Sequence, residues 1–110
     1  MVTAEAAVVL PVLVCVSVAL AWLVLVAVAQ LQCIDAAREV ARLHARGDGD
    51  AVVSDAVGRL APAGARWDVV DRDGLVVASV SAEVRPRLPI VGRLPAVDLA
   101  ADAAAAEEPR

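Results

Sequence analysis

Lysine, phenylalanine and tyrosine are absent from this 110-residue chain, and tryptophan occurs only as Trp22 and Trp67. With so few aromatic rings there is almost nothing to stack on bases or to line an aromatic ligand box. A net charge of -4 without a basic patch lacks the phosphate-neutralising footprint of a nucleic-acid binder. Nucleic acid is therefore not an expected partner. Histidine occurs once, as His44, and no Cys, Asp or Glu stands around it at metal-ligand spacing. No Ser, Cys or carboxylate pair stands near a possible base, so the sequence offers no catalytic, metal or cofactor-binding residues. The expectation is a chain that is not an enzyme and takes no cofactor and no small-molecule substrate. The turn cluster Asp71, Arg72, Asp73 and Gly74 is far shorter than a calcium loop.

Charge is also missing from one long stretch, since no Asp, Glu, Lys or Arg lies between Glu5 and Asp35. Residues 6–29, from Ala6 to Ala29, are Ala, Val and Leu apart from Pro11, Cys15, Ser17 and Trp22. That exceeds the roughly 18–20 apolar residues that cross a bilayer core, so a transmembrane helix is predicted there, with membrane lipid as its surroundings. From Gln30 the pattern acquires a helical period: Asp35, Arg38, Glu39, Arg42 and Arg46 fall on one side and Cys33, Ala36, Ala37, Val40, Ala41 and His44 on the other. The same helix should continue as an amphipathic stalk over residues 30–46, with Asp35–Arg38 and Glu39–Arg42 spaced for weak pairing. Cys15 and Cys33 lie five helical turns apart, about 27 Å, too far to join within one chain.

The remainder, residues 47–104, has room for one small head. Gly47, Asp48 and Gly49 should end the long helix, with Asp50 capping a short second helix over residues 51–60. Pro62 and Gly64 break the chain again. From Ala65 the period becomes two, with Ala65, Trp67 and Val69 on one face; after the turn cluster Val76, Ala78, Val80, Ala82 and Val84 alternate with polar neighbours. A hairpin over residues 65–85 follows. Pro86, Pro89 and Pro95 predict a non-pairing connection, and Val97, Leu99 and Ala101 a third, weaker strand before a flexible tail over residues 105–110. Two strands alone are marginal, so the third strand or the stalk must cover the apolar face, and the Trp67 face should pack on the stalk or the short helix. The fold class is α+β: a long transmembrane-plus-stalk helix, a short helix and a small antiparallel sheet of two to three strands.

Glu5 is the most informative residue, because a carboxylate at the edge of a continuous apolar helix costs a few kcal/mol if it enters hydrocarbon unpaired. Met1-Val2-Thr3-Ala4-Glu5, followed by an Ala/Val/Leu helix with an early Pro11, resembles the mature N-terminus of type IV pilin-like proteins. The segment Gln30-Leu31-Gln32-Cys33-Ile34-Asp35-Ala36-Ala37-Arg38-Glu39-Val40-Ala41-Arg42 resembles the corresponding part of the TadE family of minor pilins, found with tight-adherence pilus systems. The likeness covers about the first 46 residues well and the hairpin in outline.

This resemblance implies a basic leader ending in Gly upstream of Met1, cleavage by a prepilin peptidase just before Met1, and a charge pair in the filament between Glu5 and the terminal amine of Met1 of a neighbouring subunit. It also implies pilin-like subunits and pilus assembly proteins as partners, and a single-pass location in the cytoplasmic membrane with the C-terminal head outside, from which subunits enter a surface filament. By itself the cluster Arg38, Arg42 and Arg46 after the helix favours the opposite orientation, and a basic leader would reverse that count. Two other readings remain open. Ala27-Val28-Ala29 resembles a signal-peptidase site, which would release a small secreted binding module after Ala29. A single-pass membrane regulator of an enzyme partner is the other.

Overall fold

A computed structural model describes residues 2–85 and 97–106. Met1, the proline-containing connection at 86–96 and residues 107–110 lie outside the described residues. Helix α1 runs Val2–Ala45 without interruption and α2 covers Asp50–Leu60. Strands β1 (Arg66–Arg72), β2 (Leu75–Val84) and β3 (Val97–Ala106) form one antiparallel sheet in the order β1-β2-β3. The fold is α+β, as the residue pattern predicts. Its extents are 76 × 22 × 19 Å: a rod with a small head at one end.

Local chemistry explains each boundary. Helix α1 ends in a left-handed Gly47 (φ 86°), whose N–H donates to the carbonyl of His44 (3.0 Å) while the N–H of Asp48 donates to that of Leu43 (3.0 Å). This paired closure satisfies two of the last carbonyls, and glycine meets its backbone demand at little cost. The cap of α2 differs from expectation: Gly49 occupies that position with no side-chain hydrogen bond, and Asp50 is the first helical residue. There its carboxylate still faces the positive end of the helix dipole. Asp73 (φ 49°) and Gly74 (φ 80°) make the two-residue turn, with both central residues left-handed, that matches the twist of a tight hairpin. Asp71 and Arg72, expected in the turn, are strand residues opposite Val76 and Leu75. Strand β3 is longer than expected and takes in Ala105 and Ala106 from the predicted tail.

The core lies between one face of the sheet and the C-terminal third of α1. Val76, Ala78, Val80, Ala82, Leu99 and Ala101 are buried against Ala29, Cys33, Ala36, Ala37, Val40 and Ala41, and α2 adds Val53, Ala56 and Val57. Leu43 and Ala45, outside the predicted apolar side, are buried too, because α2 folds back over that end of α1. The predicted stalk is thus the central element of the head. Alanines at the contact let helix and sheet approach closely, and Trp67 and Val69 close the β1 side half-buried, as the alternation of that strand predicts.

Candidate membrane and assembly surface

The surface with functional content is the part of α1 that the head leaves bare. Val8, Val9, Leu10, Val12, Leu13, Val14, Val16, Leu20, Leu23, Val24 and Leu25 are each 50% exposed or more. Solvating that much aliphatic surface in water is unfavourable at about 25 cal/mol per Å2, so this half of α1 demands an apolar environment. The helix is long and apolar enough to cross a membrane. Pro11 sits inside it without ending it. Its missing N–H leaves the carbonyl of Ala7 without its i→i−4 donor, and the helix nonetheless continues through it.

The sequence-predicted residues divide between the two halves of α1. Glu5 lies in its first turn, exposed, and Ala6 and Pro11 follow on the bare rod. Met1, the expected partner of Glu5, lies outside the described residues. Ala29, expected as the last residue of the span, is buried against the head, and Val26 packs on the same core. The head therefore covers one side of the helix from a turn before the predicted end of the span.

Farther along, Cys33 is fully buried, and that burial raises its thiol pKa above the ordinary range. A thiol held protonated in this way is a poor nucleophile and acts as a small core residue. Cys15 is exposed on the rod and both cysteines are free. Asp35, Arg38 and Arg42 lie on the solvent side. Arg42 donates to Glu39, whereas the other expected pair, Asp35 with Arg38, does not form. His44 meets Asp71 at the hairpin end, Nε2 to Oδ2 3.7 Å, and no group of three metal-ligating side chains gathers among the described residues.

One contact joins the base of the head to the rod. Gln30 donates from Nε2 to the backbone carbonyl of Ala100 in β3 at 3.0 Å. Sequence reasoning missed it, because the separation of seventy residues leaves no local signal. Two shallow concavities lie on the head: one of about 300 Å3 is lined by Arg66, Ser81, Glu83 and Asp98, and another by Ser54, Gly58, Pro62 and Trp67.

No protein-family model and no solved structure matches the chain. Among curated proteins, 81 residues are 44% identical to a Mycobacterium tuberculosis protein named Apoptosis inhibitor Rv3655c, a match that covers 73% of this chain and 58% of that protein. The aligned region thus spans less than two thirds of the length of this relative. Its name speaks of apoptosis and describes neither a membrane helix nor a filament.

Proposed function

We propose that this chain is a minor pilin-like membrane subunit of TadE type, serving the assembly of a tight-adherence pilus or a related secretion filament. The observation that carries the reading is the bare apolar half of α1, continuous with a small head and bearing Glu5 in its first turn. In this reading the rod crosses the cytoplasmic membrane once, with the head outside, and later packs against the rods of neighbouring subunits. Ala4, Ala6, Ala7, Ala19, Ala21 and Ala27 provide the small surface that close helix approach in lipid requires. In a packed filament Glu5 gains an opposite charge from the terminal amine of a neighbour, which offsets its desolvation. Release after Ala29 is the weaker alternative, because a cut there would sever α1 inside the packed head, where Ala29 is buried.

The test is fractionation of cells that express the full chain. Glu5→Gln keeps the shape and loses the charge, and truncating half of a buried pair typically costs about 3–5 kcal/mol. The variant should reach the membrane in wild-type amount and be missing from sheared surface filaments. Equal incorporation of Glu5→Gln and wild type would eliminate the charge pair. N-terminal sequencing of the native protein supplies the second readout: a start at Met1 is expected, and a start at Gln30 would replace this reading with secretion.

A further inference from the structure

Among the described residues no strand pairs with the outer edge of β1 or of β3, and both edges can accept another strand. The two-residue turn closes the β1–β2 ladder at Arg72 and Leu75, and backbone groups alternate from there. Trp67, Val69 and Asp71 consequently turn their N–H and C=O groups away from β2, to the outer edge of β1. By the same alternation Val97, Leu99, Ala101, Ala103 and Ala105 bond to β2, and Asp98, Ala100, Asp102, Ala104 and Ala106 face the outer edge of β3. The bond from Gln30 to the Ala100 carbonyl fits this assignment and blocks the edge at that residue. Beyond it the edge from Asp102 to Ala106 is exposed on its outer face and carries small side chains. It has no lysine, proline or bulge, the usual devices against strand addition.

Strand direction decides what can add there. Gln30 meets Ala100 at one end of the head and His44 meets Asp71 at the other, where Asp71 is level with Val76 and Ala105. Strands β1 and β3 therefore both run in the direction of α1. In a membrane or filament where all rods point the same way, a two-fold pairing of β3 with β3 would require antiparallel rods and is excluded. Parallel addition of β1 of one copy to β3 of the next keeps every rod aligned, and the inner faces match, because Trp67 and Val69 then lie beside Ala103 and Ala105. Charge fixes the register. Arg66 on one edge and Asp98 and Asp102 on the other have no ion-pair partner among the described residues. Placing Arg66 beside Asp102 uses the unblocked part of the β3 edge and sets Asp68 beside Ala104.

We infer that copies of this chain join head to tail, β3 of one to β1 of the next, into a continuous mixed sheet with all rods on one side. This rests on the membrane-anchored reading above, which supplies the common direction of the rods. Within one head Arg66 is level with Ala100, so the register offsets each copy by two residues, about 6.6 Å along the rod. Three strands set neighbouring copies about 14 Å apart, and curvature toward the helix side brings the rods closer to the roughly 8–10 Å of packed helices. An interface of this kind does not close on itself and generates arrays.

Cysteine cross-linking of the full chain in membranes tests the inference, with Cys15→Ser throughout to remove the exposed native thiol. Asp68→Cys together with Ala104→Cys leaves Arg66 and Asp102 intact. Mild oxidation should give a ladder of dimers, trimers and higher species, at least tenfold above either single variant. Adding Arg66→Asp should weaken the ladder, and adding Asp102→Arg to that should restore it. A dimer from Ala104→Cys alone would mean two-fold pairing and overturn the inference, as would a ladder indifferent to the charge reversals. Absence of a ladder while the chain stays in the carbonate-resistant membrane fraction would overturn strand addition and leave the anchor standing. Recovery of the chain in the soluble fraction would remove the anchor, and strand addition with it.

Discussion

The two halves of α1 are both rich in alanine, valine and leucine and live in different surroundings. Before Val26 nearly every position is exposed; from Ala29 to Ala45 eight are buried, under a sheet and a second helix. Apolar composition is therefore a poor guide to which half belongs to the head. The distribution of charge is the better guide: the half uncharged after Glu5 is bare, and the half with Asp35, Arg38, Glu39 and Arg42 on one side buries the other.

Placing one substitution in both halves breaks the symmetry most strongly. Val40→Asp puts an unpaired carboxylate into a fully buried site and should cost more than about 4 kcal/mol, enough to unfold the head of a domain this small. Leu13→Asp should leave the head folded and instead lose about 2.5–3.5 kcal/mol of membrane insertion. Near-ultraviolet circular dichroism in detergent reports the first outcome and carbonate extraction the second. An unfolded head in Leu13→Asp would show that the halves are not independent.

Trp67→Ala sharpens the comparison inside the head. Full burial of a tryptophan is worth about 3–5 kcal/mol on truncation, and the half-buried ring should give roughly half of that, a melting temperature lower by about 10 °C. An unchanged melting temperature would remove β1 from the core. The smallest effect belongs to the solvent side of α1. Arg42→Ala loses an exposed pair with Glu39 and should change stability by less than about 0.5 kcal/mol, with a chemical denaturation midpoint close to wild type.

Most of the fold is legible in the residues because its signals are local: uncharged length for the rod, periods of 3.6 and two for α1 and the hairpin, and Gly47 and Asp73-Gly74 for the turns. What was not legible depends on partners distant in sequence. Nothing near Leu43 or Ala45 announces that α2 will cover them. Ala105 and Ala106 read as a tail because alanine has little strand preference of its own; pairing with Val76 and Leu75 in β2 makes them strand. Of the candidate site, Glu5 and the bare rod are evident in the sequence, whereas the Gln30 contact and the common direction of β1, β3 and α1 appear only when the chain is folded.

From Val2 to Ala45 there is no glycine and only one proline, and the helix passes from the bare half into the core without a break. A flexible tether would absorb a pull on the rod, but a packed helix transmits it as a connecting rod does, at about 1.5 Å of head displacement for each residue of axial travel. Force applied at Glu5 therefore arrives at the sheet undiminished by slack, and the head rises and turns with the rod as a single mechanical part.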